Sequence, residues 1–110
     1  MRDNDLRGVM DQTPVGITVT DLDGIILYYN DFCARIVNRE PEYIGMDIRS
    51  CHKKTESIQK IDMIFSEIKE GKRKNYCYES KRNGKVLSVT ISPYQRMGEL
   101  IGFIQSIVVK

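Results

Sequence analysis

Cys51 and His52 stand side by side in the stretch SCHKKTES, residues 50–57, and His52 is the single histidine of the chain. Thiolate and imidazole both ligate metals, so the pair would supply one or two of the four ligands of a structural zinc site. Cys33 and Cys77 are the remaining cysteines, and neither lies at a recognised ligand spacing from this pair. An odd, widely spaced count of three also argues against a disulfide framework. The simplest reading is that Cys51 packs while His52 caps a helix or faces water. Another places His52 at the rim of a pocket, where its ring would hydrogen-bond an organic ligand.

Enzymatic arrangements are missing. One histidine leaves no defensible Ser/His/Asp order, and Gly98 and Gly102 connect strands rather than cradle a phosphate. Carboxylates fall mostly beside turns or on polar helix faces, so no catalysis is expected of the domain itself. Tyr28, Phe65, Tyr76 and Tyr78 read first as core aromatics, with the tyrosine hydroxyls available as donors in a pocket wall. Lys72, Arg73 and Lys74, and then Lys81 and Arg82, form small basic clusters. A net charge of +2 is too small to imply a direct nucleic-acid partner, and solvated turn residues account for the clusters.

The elements that must position these groups follow from periodicity. The chain has 110 residues, 41% hydrophobic and 29% charged, which suits one globular domain. Its apolar runs are strand-sized, so no membrane partner is expected, and the polar start predicts no signal peptide. Residues 3–11 carry Leu6, Val9 and Met10 as one thin helical stripe, which must dock on a sheet or on a second copy. Pro14 ends that helix. Residues 1–13 thus form an N-terminal helical segment, and 14–110 the core domain.

Ile17 and Val19 alternate with threonines as in a half-buried strand. Asp21 to Gly24 supplies turn chemistry before a second strand over 25–29. Asn30 or Asp31 caps a short helix whose apolar face is Phe32, Ile36 and Val37. Pro41 starts another helical piece, and residues 46–54 have no period. Residues 55–70 form the longest helix, with Ile58, Ile61, Ile64, Phe65 and Ile68 on one broad face. The period then drops to two: a strand over 75–80, an Asn83-Gly84 hairpin of type I′, a strand weakened at its end by Pro93, a connection over 95–99, and a last strand over 100–109. Strands, helices, then strands predict an α+β fold, an antiparallel sheet with helices on one face.

In this order, and with these residues, the chain resembles the PAS domain, a sensory and interaction module common in bacterial and archaeal signalling proteins. GITVTDLDGIILYYND, residues 16–31, resembles the family's opening hairpin, with Asp-x-x-Gly at the turn, Ile26 two residues after Gly24, and Asn30 where the family places its helix-capping Asn. EPEYIGMDI is similar to the short helix and its Ile-Gly pair. KRNGKVLSVTISPY resembles the later strand pair, and MGELIGFIQ the way into the last strand. The likeness runs from about Leu6 to Val109. Where the family often ends in Asp-Ile-Thr and hands its signal to a coiled coil, this chain reads SIVVK.

The resemblance implies a five-stranded antiparallel sheet with short helices and one longer helix on one face, plus the N-terminal helix. It implies a cytoplasmic regulatory part of a larger signal-transduction protein, such as a histidine kinase or transcriptional regulator. A small organic ligand would sit between the long helix and the inner sheet face, against Ile17, Val19, Tyr28, Ile61, Phe65, Val89, Phe103 and Gln105, with His52 at the rim. Leu6, Val9 and Met10 would form a homodimer contact or meet an adjacent domain. The alternatives are a pure interaction or dimerisation module whose interior is filled by side chains, and a haem or redox sensor. No cofactor is required by the first reading. Haem sensors of the family usually carry their histidine on the long helix, whereas His52 precedes it. Flavin photosensors carry Asn-Cys-Arg-Phe-Leu-Gln, where this chain has GMDIRSCHKK. A Cys-His pair followed by serine, here Ser57, occurs in some PAS-like sequences.

Overall fold

The computed structural model describes residues 1–37, 39–52, 54–72, 74–82 and 84–110. Helix α1 (Asp3–Gln12) leads into a hairpin of β1 (Gly16–Asp21) and β2 (Ile26–Tyr29). Helix α2 (Asp31–Val37), two 3-10 turns (Pro41–Tyr43 and Ile48–Cys51) and the long helix α3 (Thr55–Lys69) follow. Strands β3 (Tyr76–Arg82), β4 (Lys85–Arg96) and β5 (Glu99–Val109) complete the chain.

Local chemistry closes each junction. Asp21 Oδ1 accepts from the Asp23 and Ile25 amides at 2.9 and 3.0 Å, folding the first hairpin as an Asx-type turn. Gly24 has φ +87° there, and a Cβ would meet the Arg49 guanidinium at 2.9 Å, so only glycine fits without strain. Asn30, rather than Asp31, is the hub at the start of α2. Its Oδ1 accepts from the Cys33 amide at 3.0 Å and from Ile17 at 2.8 Å. Its Nδ2 donates to the Met10 and Val15 carbonyls at 2.7 and 2.8 Å, tying α1 to the domain. Asn83 lies outside the described residues, but Arg82 pairs with Lys85 across a two-residue loop, and Gly84 has φ +76°.

The sheet is antiparallel with strand order β2-β1-β5-β4-β3. β1 pairs with β5 from Gly16 opposite Ile107 to Asp21 opposite Gly102. Strand β4 does not weaken at Pro93 but runs on to Arg96. β3 has ended by Ile91, so the β3 side of β4 is open at Pro93, where a missing amide donor is tolerated. The final connection is likewise shorter than expected, Met97 and Gly98 alone, both with positive φ.

One expectation about the sheet is corrected. Gly16, Thr18 and Thr20 are buried, while Ile17 and Val19 are half-buried on the other face. Tyr28 lies directly opposite Val19 and shares that outer face, whereas Tyr29, opposite Thr18, turns inward. Ile17, Val19 and Tyr28 therefore do not line the interior. The cause lies in what the threonines bond. Thr18 Oγ1 sits 3.2 Å from Cys33 Sγ and accepts from Arg39 Nε at 3.2 Å, and Thr20 Oγ1 donates to the Asp21 carbonyl at 2.9 Å. Partnered inward hydroxyls reverse the face that apolar alternation alone would choose.

Candidate functional site

The interior between the sheet and the helices divides into two lobes. In the first, Ile61 and Phe65 of α3 pack on Ile91 and Phe103 of the sheet, beside Ile26 and Ile48. Phe65 and Phe103 stack with ring centroids 3.9 Å apart and planes within 1°. The space left there is ≈ 10 Å³, scarcely one water molecule. Three of the expected pocket residues, Ile61, Phe65 and Phe103, thus line a filled core.

The second lobe is hollow. A cavity of ≈ 170 Å³ lies between the segment from Val37 to His52 and the inner faces of β3, β4 and β5. Leu87, Val89 and Ile107 form its apolar wall, and Arg39, His52, Tyr78 and Gln105 its polar one. Val89, Gln105 and His52 are the expected residues that the structure brings together here. Gln105 also borders the filled lobe and marks the boundary between the two.

Arg39 is the principal addition. It follows α2, has 7% exposure, and its amide donates to the Ala34 carbonyl at 3.2 Å. Its Nη2 donates to Gln105 Oε1 at 3.0 Å, and its Nε to Thr18. Both partners are neutral, and among the described residues no carboxylate is ion-paired with it. Residues 38–40 have no periodicity and no neighbouring charge pattern, so only the oddity of an arginine just before the Pro41 restart could have flagged it.

His52 closes the second 3-10 turn, with its amide donating to the Arg49 carbonyl at 3.1 Å. Its ring is half-buried between the cavity and the outer cleft, and its Nε2 is buried with no hydrogen-bond partner among the described residues. Burial, with the Arg39 and Arg82 guanidiniums nearby, holds its pKa below the ordinary imidazole value. Burial raises the Tyr78 phenol, an effect partly offset by hydrogen bonding to Gln105 and by Arg39.

Outside this cavity, His52, Cys51, Tyr78, Ser80 and Arg82 continue into a wider cleft of ≈ 390 Å³ whose other walls include Lys54, Ser57, Lys60 and Lys81. Lys60 Nζ lies 4.5 Å from the centre of the Tyr78 ring. Glu79 is the one acidic lining residue among those described, and it pairs with Lys110 at 2.9 Å. The approach is therefore basic. Cys51 and His52 gain no further metal ligand: among the described residues no group of three His, Cys, Asp or Glu side chains converges. In α1, Leu6 and Val9 are each 51% exposed, while Met10 is half-buried beside the Asn30 hub. No helix among the described residues is long and apolar enough to cross a membrane.

The PAS-domain family matches residues 6–107. The chain belongs to that family. No curated protein matches the sequence. Among solved structures, a C-terminal domain from Streptococcus mutans superposes with a TM-score of 0.84 at 23% identity, covering 99% of this chain and 85% of that one. A sensory box sensor histidine kinase from Vibrio cholerae gives a TM-score of 0.71 at 12% identity, covering 97% and 90%. The PAS domain of a LuxR-family transcriptional regulator from Burkholderia thailandensis, in complex with ethanol, gives 0.68 at 18% identity, covering 94% and 95%. At these identities the likeness establishes the fold. PAS domains are sensory modules of histidine kinases and regulators, and are generally not catalytic.

Proposed function

We propose that this domain is the sensory part of a larger cytoplasmic signalling protein and that it binds a small molecule in the cavity between the Val37–His52 segment and β3–β5. The observation that carries this reading is the hollow second lobe, where buried polar groups of Arg39, His52 and Gln105 converge beside one apolar wall. The similar Burkholderia domain holding ethanol supports a small occupant. Occupancy transmits a signal only if the ligand binds one arrangement of the surrounding segments better than another. Thr18 and Gln105 bond Arg39 to the central strands, so a ligand that pulls on Arg39 acts on β1 and β5 directly. Amide-resolved NMR of the purified domain against a small-metabolite library tests this: saturable shifts should centre on His52, Tyr78 and Gln105. A library that moves none of them overturns the reading.

A second reading rests on α1. Leu6 and Val9 stand exposed on a helix tied to the domain near its C-terminal end, through the Met10 carbonyl and the Asp11 carboxylate, which supports a homodimer contact or docking on an adjacent domain. Light scattering with and without residues 1–12 decides it, since a dimer that survives the deletion is not made by this helix.

A further inference from the structure

Two arginines ten positions apart are treated in opposite ways. Arg49, a quarter exposed, bonds Asp47 at 2.9 Å and Asp62, and donates to the Asp23 carbonyl at 3.0 Å. Arg39 is far more buried yet meets only a hydroxyl and an amide oxygen. A guanidinium has five N–H donors and cannot shed its charge, and leaving such a cation unpaired in an interior is strongly unfavourable. Burial of this kind is offset when an anion takes the remaining donors. Arg39 borders the cavity, so the space for that anion is adjacent.

We propose that the cavity recognises a small organic oxyanion, a carboxylate or phosphate group with a short apolar tail, whose charged head binds Arg39 and His52 while Leu87 and Val89 pack on the tail. This deepens the ligand-binding reading above and rests on it. Three independent features support the class. His52 Nε2 is buried without a partner, and an imidazole beside two guanidiniums becomes a charged donor once an anion offsets them. The volume of ≈ 170 Å³ is roughly that of five or six waters, room for a handful of non-hydrogen atoms and too little for a nucleotide. The approach past Lys54, Lys60, Lys81 and Arg82 is positive and draws anions inward.

Isothermal titration and NMR with butyrate, methyl phosphate and inorganic phosphate, each against the neutral amide butyramide, test the class. Butyrate or methyl phosphate should saturate, with butyramide at least about tenfold weaker, because a charge-assisted bidentate contact is lost. Saturation by butyrate alone assigns the head as carboxylate, and by methyl phosphate alone as phosphate. Arg39→Gln should weaken the anion by about tenfold or more, and Arg82→Ser, at the mouth, by a smaller factor that shrinks in high salt. Should Arg39→Gln fail to fold, Arg82→Ser and the salt dependence still decide. Anion binding indifferent to Arg82→Ser and to salt, or to Arg39→Gln where that variant folds, overturns the proposal. So does inorganic phosphate binding as tightly as the tailed anions. Saturation by butyramide with the anions inert overturns the anion class but leaves the ligand-binding reading intact. Silence from anions, butyramide and the metabolite library together overturns both.

Discussion

The two lobes of the interior share one sheet and two of its strands, β4 and β5, yet they are built on opposite principles. Around Phe103 the side chains are apolar, stacked and close to void-free. Two residues further along, at Gln105, the lining turns polar and the packing opens. The first lobe has the density expected of a core that holds a fold together. The second has a buried charge, an unpartnered imidazole nitrogen and open space, all of which weaken a fold and serve a binding site. The packed lobe and the open one are thus separated by a single inward-facing position.

That contrast can be broken by substitution. Phe103→Ala should cause the largest effect, a loss of about 3–5 kcal/mol in urea denaturation, because it removes half of the aromatic stack and leaves a cavity. A loss below about 1 kcal/mol would show the first lobe to be no tighter than the second. Arg39→Met should run the other way, leaving stability unchanged or raising it by up to about 3 kcal/mol, since it replaces an unpaired buried charge with an apolar chain. A clear loss instead would show that the neutral partners fully satisfy the guanidinium. Ile61→Val in the filled lobe should cost about 0.5–1.5 kcal/mol, and Val89→Ala in the hollow one should fall short of the usual core penalty.

The smallest effect is in pH. His52 has a folded-state pKa below its unfolded value, from burial first and then from Arg39 and Arg82. The unfolded chain therefore binds the proton first. The stability linked to His52 is full above about pH 6.5, falls as the pH drops through the window below that, and levels off beneath the folded pKa. The groups facing the ring are Arg39, Arg82 and Tyr78, with Cys51 adjacent in sequence, and none of these is acidic. His52→Gln should flatten that part of the stability profile, and an unchanged slope would assign it elsewhere.

What the sequence made legible was what local chemistry decides. The Asp21–Gly24 turn, the Asn30 cap, the α3 stripe and the two-residue loop before β4 each depend on neighbours a few positions away, and each forms where expected. The face of β1 was not legible, because Thr18 turns inward for partners at Cys33 and Arg39. Arg39 itself lies in a stretch with no period and finds its acceptor on Gln105, 66 positions away. Of the expected ligand-contacting residues, His52, Val89 and Gln105 surround the cavity, Ile61, Phe65 and Phe103 pack beside it, and Ile17, Val19 and Tyr28 lie across the sheet.

The pairing of Gly16 with Ile107 has a mechanical consequence. The start of the first strand and the end of the last are adjacent antiparallel neighbours, about 4.8 Å apart. In a host protein, chain reaching Gly16 and chain leaving after Ile107 would do so side by side, at one end of the β1–β5 pair. Tension along such a host would load the hydrogen bonds between β1 and β5 and leave β3 at the far edge slack. Thr18 and Gln105, which hold Arg39, sit opposite each other on those two loaded strands.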